Sequence, residues 1–498
     1  MNLLPHKIIE YQLYLLQLEN YNLRRFWSIF LKSGFTTKQM RQELVWTAKL
    51  KAIAFLTAII ALLILAVLGQ GIYQATGSIL ITIIDALINS YILAMIFGAL
   101  AIISVIIISP LDYILKQKII KAAKNKIAKH QKLIIIGITG SYGKTTMKEA
   151  VAEILAPKYK VLKTEENKNT PLGISQLILD KLNDKTEILI AEMGAYQQGD
   201  IKKLCEITKP DIAILTGINE SHLERFGSIE NTISAKFEVV KYAKENAKII
   251  LNADDKLVTE NYKQQIGGCP AFVPQSGTTA GEEIFFYSAE NNGRCEYKIL
   301  NQQFLPEGNG QSADILNSLG GIGNIKTPFL GEYIFGDIIA GIIIARELGL
   351  TDEQIKQGIS RLKPVEHRLQ LIKGKNGVLV IDDSYNGNSD GVKEAIKTLA
   401  NFEDKRKIYV TPGLVETGYK NEEIHFNIGK QLSEAADLVI LIKNSATPYI
   451  EQGLLENGFN KKNIIWFDSA ASAHAGIKDI TKKRDVILFQ NDWPDNYL

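Results

Sequence analysis

With 498 residues the chain is too long for one hydrophobic core, and roughly two to four domains are expected. Its net charge of +3, from 57 Lys and Arg against 54 Asp and Glu, excludes a global electrostatic case for nucleic acid as a partner. Cys205, Cys269 and Cys295 stand far apart with no C-x-x-C spacing, which excludes a zinc knuckle or a disulfide framework and fits a reducing compartment.

Residues 1–51 are polar-aromatic and read as helical, with Tyr11, Leu13, Tyr14, Leu15, Leu16 and Leu18 too dense for a fully solvated helix. Arg24-Arg25-Phe26-Trp27, followed by Phe30 and Leu31, suits a membrane interface; a helix packed on a cytoplasmic domain or a partner fits equally. No apolar core follows a short basic start, so a cleavable signal peptide is not expected. Ala52 to Leu68 carries no charge, and its apolar character runs on to Tyr73. Ile79 to Ile108 is a second apolar run, interrupted by Asp85 and Asn89, whose part from Ala86 is charge-free. About 20 apolar residues cross a hydrocarbon core, so residues 52–130 predict two transmembrane helices and a basic linker. Lys38, Arg41, Lys49 and Lys51 precede the first, and Lys116, Lys118, Lys121, Lys124 and Lys126 follow the second. The connector from Gln74 to Asp85 has no Lys or Arg, so both ends are expected in the cytoplasm.

From His130 the pattern becomes α/β, and residues 131–363 read as one domain. Apolar runs ending in polar residues recur at 133–140, 187–194, 211–218 and 247–255, with helical stretches between them, which predicts a parallel sheet covered by helices. Residues 264–330, rich in Gly, Asn and Ser with short alternating segments, read as antiparallel strands appended to that sheet. A helix from Asp337 to Leu348 and a hinge at Leu362-Lys363-Pro364 follow. Residues 364–498 then carry five more strands, at 378–383, 407–412, 438–443, 463–467 and 485–490, a second doubly wound domain.

The first strand runs directly into Thr139-Gly140-Ser141-Tyr142-Gly143-Lys144-Thr145-Thr146 and then into a helix-compatible stretch. Strand, glycine turn, Lys-Thr and helix make a phosphate cradle. Gly140 and Gly143 let backbone N–H groups approach an oxyanion, and the helix N-terminus adds partial positive charge. Lys144 reaches the terminal phosphates of a nucleotide and the Thr145 hydroxyl ligates Mg²⁺. The general G-x-x-x-x-G-K-[ST] pattern is not met, since Ile138 stands where its first glycine belongs. Open parallel sheets bind ligands at the carboxyl ends of their strands, where Glu192-Met193-Gly194, the stretch Asn219 to Glu224, and Lys236 fall. Glu192 and His222 are candidates for a divalent ion beside the phosphates.

In order, TGSYGKTT, EMGA, TGINESHLERFGSIENTISAKFEVV, LNADD, EHRL and IDDSYNGNSD resemble the Mur ligases over about residues 131 to 498. The resemblance implies a P-loop central domain and a Rossmann-like C-terminal domain, acting in bacterial cell-wall precursor synthesis. It implies ATP-dependent amide synthesis through an acyl phosphate, joining a muramoyl-peptide carboxylate to D-alanyl-D-alanine or another amino-acid or dipeptide amine. Carried over residue by residue, Lys144 holds the β- and γ-phosphates, and Thr145 and Glu192 hold one Mg²⁺. His222 holds a second Mg²⁺, and Lys236 is the lysine that the family carries as a carbamate, an anion able to ligate or orient a metal ion. Asn252 meets the adenine, Arg368 reaches the phosphates and Asp382 the nucleotide, so that closure at the hinge completes the site.

Four departures stand out. The family's uridine-binding N-terminal domain is replaced by the membrane hairpin. G-x-H-N-x-x-N reads as Gly331 to Asp337, G-D-M-x-E-L-G as Pro412 to Gly418, and Lys-Gly-Ser near the end as Asn491-Asp492-Trp493-Pro494. A lipid-linked acceptor met at the membrane face accounts for both the anchor and the lost domain. The competing readings are a family ligase acting elsewhere, in lipid-linked precursor amidation or poly-γ-glutamate synthesis, and a non-catalytic membrane scaffold.

Overall fold

A computed structural model describes residues 4–33, 43–165, 168–221, 223–267, 284–305, 308–318, 320–385, 387–415 and 417–491. In it the chain divides into two compact units, Met1–Ile119 and Ile120–Leu498.

The first unit is helical: α1 (Pro5–Leu18), α2 (Leu23–Ser33), α3 (Ala48–Thr76), α4 (Ile79–Met95) and the start of α5 (Phe97–Lys129). The 29 residues of α3 make a rod about 43 Å long. Phe55, Leu62, Leu63 and Val67 project from it largely exposed, so its apolar surface is not spent on a protein core. The second apolar run differs from expectation. It is not one helix: α4 stops at Met95, Ile96 leaves helical geometry (φ −105°, ψ 11°), and α5 restarts at Phe97. The cause lies in α1. The buried Gln12 carboxamide donates to the Met95 carbonyl and accepts from the Gly98 N–H, both at 2.6 Å, which satisfies two groups freed by the break. Gly98 is needed there, because a Cβ would press within about 3 Å of Phe30, Phe26 and Gln12. A Thr57–Ser104 hydrogen bond of 2.8 Å and a Lys49–Asp112 ion pair of 2.8 Å tie α3 to α5. Lys38 and Arg41 lie outside the described residues.

In the second unit a six-stranded sheet has the order β2-β3-β1-β4-β5-β6, from β1 (Ile134–Thr139), β2 (Val161–Lys163), β3 (Ile188–Glu192), β4 (Ile212–Leu215), β5 (Lys248–Asn252) and β6 (Ile284–Tyr287). Every pairing in it is parallel. Its crossovers carry α6 (Lys144–Leu155), α7 (Pro171–Lys181), α8 (Asp200–Thr208), α9 (Leu223–Phe226), α10 (Ile229–Lys236), α11 (Glu238–Lys241) and α12 (Lys256–Ile266). Alternation along β1 fills two cores. Ile136 and Ile138 face Met147, Ile154 and the helix α13 (Ile334–Glu347); Leu133 and Ile135 face Ile174, Ile178 and Leu204. From Ile334 to Ala345 every residue of α13 is buried, and all but Asp337 are apolar or glycine.

The expected antiparallel addition is in part something else. β6 extends the central sheet in parallel, while β7 (Lys298–Phe304), β8 (Gln311–Leu316) and β9 (Gly323–Thr327) form a separate antiparallel sheet. α14 (Asp352–Ile359), begun by a Thr351–Gln354 capping box, leads to the second large sheet. Its order is β10-β11-β15-β12-β13-β14, from β10 (Gln370–Lys373), β11 (Leu379–Asp383), β12 (Lys407–Thr411), β13 (Leu438–Ile442), β14 (Ile464–Phe467) and β15 (Val486–Gln490). Only the edge strand β10 runs antiparallel. α15 (Ser389–Ala400), α16 (Asn421–Ala435), α17 (Thr447–Glu456) and α18 (Ala470–Ile480) cover it.

Candidate active site

Register places the site. Ile138 pairs with Glu192 and Thr139 with Leu215, so the loop after β1 opens beside the carboxyl ends of β3 and β4. The loop is drawn tight against β4: Ser141 N–H donates to Gly217 O at 2.8 Å, and the Thr216 hydroxyl bonds to the Tyr142 carbonyl. A Cβ on Gly140 would collide with Thr216 Oγ1, and Gly143 sits at φ +75°, so both glycines are demanded by geometry. The Tyr142 hydroxyl donates to Asp255 Oδ2 at 2.8 Å, and Asp255 also accepts the N–H groups of Ile218 and Val258. Lys144 begins α6, and its ammonium bonds to Gly140 O at 2.7 Å. Burial lowers its pKa to about 8, with Glu192 pulling it back up and Arg368 pushing it further down. Thr146 is buried in the first turn of α6.

Glu192 is the hub of the second layer. Its carboxylate accepts from the Thr145 hydroxyl at 3.2 Å, Lys148 Nζ at 3.1 Å and Asn169 Nδ2 at 3.3 Å. Burial opposes its charge, but Lys148 and Lys144 outweigh that and hold its pKa below the usual value. A hydroxyl and an ionised carboxylate at the mouth of a phosphate loop are hard oxygen donors that fit Mg²⁺, which completes its shell with phosphates and waters. Lys148 and Asn169 were not anticipated from sequence. Lys148 was findable, since it follows Lys144 by one helical turn on the same face; Asn169 has no such local signal.

Lys236 ends α10 with its side chain buried and its ammonium 5.7 Å from the Phe226 ring centroid. Burial, reinforced by Lys144, brings its pKa well below that of a free lysine, against Asp200 and Glu238. Asn252 closes β5, donating to Thr216 O at 2.8 Å and accepting from Asp254 N–H at 3.0 Å. His222 lies outside the described residues. Among the described residues no group of three or more His, Cys, Asp or Glu side chains gathers as a ready-made metal cage.

The C-terminal sheet delivers the remaining candidates. Arg368 lies between His367 (φ +59°) and Leu369 (φ +45°), a bend that sets its guanidinium over the Tyr385 ring at 4.6 Å and within electrostatic reach of Lys144. Asp382 pairs with His367 at 2.7 Å and accepts from Ser384 N–H at 3.1 Å. Across the cleft Asn219 donates to Asn388 at 3.0 Å and Asp390 at 2.7 Å, and Glu220 pairs with Lys420 at 2.8 Å. Glu192, Lys236 and Arg368 thus each lie within electrostatic reach of Lys144, whereas Asp382 and Asn252 are engaged by their own neighbours.

Comparison with known proteins agrees with this arrangement. The Mur ligase middle domain matches residues 138–345, and the Mur ligase glutamate ligase domain matches residues 367–490. The UDP-N-acetylmuramoyl-tripeptide–D-alanyl-D-alanine ligase of Bacillus subtilis is 28% identical over 358 residues, 72% of each protein. The Escherichia coli enzyme of that name is 28% identical over 301 residues, so that the match spans 60% of this chain and 62% of that one. Among solved structures, the MurF ligase from Thermotoga maritima in complex with ADP superposes with a TM-score of 0.64 at 27% identity, over 76% of this chain and 80% of that one. MurF from Acinetobacter baumannii shares the fold with the same TM-score of 0.64 at 21% identity, over 76% and 78%. With both of its ligase domains matched in order and its phosphate loop closing the first strand of the middle domain, the chain belongs to the Mur ligase family.

Proposed function

We propose that this protein is an ATP-dependent, ADP-forming ligase that joins a muramoyl-tripeptide carboxylate to D-alanyl-D-alanine or a closely related amine. One observation carries the proposal: the glutamate ligase domain is bonded to the loop after β4 of the middle domain, Asn219 to Asn388 and Asp390 and Glu220 to Lys420, with Arg368 close enough to act on Lys144 of the phosphate loop. A carboxylate is a poor electrophile and must first be phosphorylated. One of its oxygens bonds to the γ-phosphorus as the bond to ADP breaks, and ADP leaves with the electron pair. The loop N–H groups and Lys144 hold the phosphates, and Arg368 adds a cation from the opposite side. The amine nitrogen then bonds to the acyl carbon, the carbon–oxygen bond to phosphate breaks, phosphate leaves and the nitrogen gives up a proton.

Thr145 and Glu192 would hold a Mg²⁺, which supplies positive charge to the phosphate oxygens. A second ion at His222 rests on the family resemblance alone. For Lys236, burial favours the uncharged amine, and that is the form that bonds to CO₂ and loses a proton to become a carbamate.

The chain is proposed to work at the cytoplasmic face of a bacterial membrane. What supports this is the length of α3 and of α5 (33 residues), the apolar character of both, and how little of either apolar stretch is buried. A lipid-linked muramoyl peptide is then the favoured form of the acceptor. The test is ADP release by the full-length protein in nanodiscs, given D-alanyl-D-alanine and either UDP-muramoyl-tripeptide or its lipid-linked counterpart. Release should need acceptor and amine together, favour the lipid-linked acceptor, and vanish in Lys144→Ala. Release without any acceptor would overturn the ligase proposal, and equal use of both acceptors would overturn the lipid-linked one.

A further inference from the structure

The buried residues of α3, Leu50, Ile53 and Thr57, all fall in its first three turns. Beyond them α4 folds back along α3: Gly77, at φ +64°, turns the chain, and a Cβ on Gly69 would stand 3.7 Å from the Thr82 methyl. From Ala58 to Thr76 α3 rises about 28 Å, and α4 rises about 25 Å, so this hairpin by itself nearly covers a hydrocarbon core of about 30 Å. α5 is placed differently. Its apolar stretch from Phe97 to Leu115, about 28 Å, is long enough to cross, yet both ends are tied to the start of α3. Phe97 lies in a buried cluster with Leu13 and Leu50, and Asp112 pairs with Lys49 at 2.8 Å. Between these ties Ala101 and Val105 share a core with Leu16, Phe26 and Phe30. The other face of the stretch carries Ile103, Ile106, Ile107, Leu111, Ile114 and Leu115, all exposed.

We propose that the α3–α4 hairpin crosses the membrane and that the first half of α5 does not: it lies in the cytoplasmic leaflet with this isoleucine and leucine face against the acyl chains. The inference rests on the membrane attachment proposed above. Two crossings keep Lys49 and Lys51 on the same side as the lysines that follow Leu115, as the Lys49–Asp112 pair requires; a third crossing would separate them. Polar groups along the stretch are satisfied from within the protein, as hydrocarbon demands and water does not. Ser109 turns its hydroxyl back onto the Val105 carbonyl at 2.6 Å, and Asp112 is neutralised by Lys49 and by Lys116 at 2.9 Å. The turn from α4 into α5 follows the same rule, since Gln12 takes up the freed groups of Met95 and Gly98. Lipid is favoured over a second protein as the occupant because the face continues the surface of the hairpin. Exposed Phe55 and Ile59 on α3 flank Thr57, which bonds Ser104 in the middle of the stretch. Helices seated in this way immerse their apolar face about 5–10 Å into the boundary between headgroups and acyl chains.

The test is depth-resolved quenching of a fluorophore on Leu63→Cys, Ile107→Cys, Ile114→Cys or Lys462→Cys in the full-length protein in liposomes. Cys269→Ser removes one native thiol, and Cys205 and Cys295 are buried. Nitroxides are carried on the lipids either near the headgroup or near the end of the acyl chain. Leu63→Cys should be quenched best by the deep nitroxide. Ile107→Cys and Ile114→Cys should be quenched best by the shallow one and to the same extent, and Lys462→Cys by neither. If α5 crossed, positions 107 and 114 would differ in depth by about 10 Å, and that result would overturn the proposal. Quenching at 63 without quenching at 107 and 114 would overturn it too, since the face would then meet water or another protein. In the unsubstituted protein a carbene precursor carried near the headgroup end of a lipid should label residues 103–115; label confined to α3 and α4 would again overturn it. With no quenching at 63, membrane attachment itself has failed, and the placement of α5 falls with it.

Discussion

Asp383 at the end of β11 carries a carboxyl that accepts the Leu369 N–H at 3.2 Å and lies against Arg368. Burial raises its pKa to about 7, although Arg368 pulls the other way. In the unfolded chain the same group titrates near 4. Between about pH 4 and 7 the folded state therefore holds a proton that the unfolded state has lost. The stability this group contributes is complete below pH 4 and disappears as pH rises through 7. Asp383→Asn is expected to gain stability relative to the parent protein on going from pH 5 to pH 8 in urea unfolding; a difference that is the same at both pH values would contradict this. Lys236 makes a chemical prediction: with ¹³C-bicarbonate, a carbamate carbon resonance appears in the parent protein and is missing in Lys236→Ala. No resonance in the parent protein would remove the carbamate. At this scale the sequence was most legible where contact is local. Gly140 to Thr146 lie in one contiguous stretch between a strand and a helix, so that loop was legible without any long-range pairing. The partners of Glu192 come from positions 145, 148 and 169, and Asn169 is positioned only once β3 is in its register.

Among the helices, α16 and α17 show how a pair can be set by two residues without side chains. A Cβ on Gly453 would run into the Phe426 carbonyl, and one on Gly429 into the Ile450 carbonyl, so the helices meet backbone to backbone. Gly453→Ala must push them apart and is expected to cost about 1–3 kcal/mol in urea unfolding, the usual range for overpacking. A loss under about 0.5 kcal/mol would mean that the contact is loose. The strands of both large sheets were readable because buried parallel strands are short unbroken apolar runs with polar residues at their ends. β2 has three residues and β10 lies at a sheet edge, so neither has such a run. The break at Ile96 was hidden for another reason. Its surroundings are apolar throughout, and Gln12, which satisfies the freed backbone groups, is 83 residues away from Met95.

For the molecule as a whole, the apolar helices of the first unit and the ligase domains of the second make separate demands. Side chains such as Phe55 and Val67 stand exposed along α3, and contiguous apolar surface of that kind marks a site for a membrane or a partner. After lysis the full-length protein should stay with membranes through an alkaline carbonate wash and be released by detergent; recovery in the carbonate supernatant would contradict anchoring. The ligase domains demand that phosphoryl transfer to a carboxylate precede amide formation, and oxygen isotopes read this step directly. Muramoyl-tripeptide labelled with ¹⁸O in its terminal carboxylate should yield, on reaction with ATP and the dipeptide, inorganic phosphate in which each molecule carries one ¹⁸O. Phosphate free of label, released at the rate of ADP, would show that water and not the acceptor carboxylate takes the phosphoryl group, and would contradict the ligase mechanism.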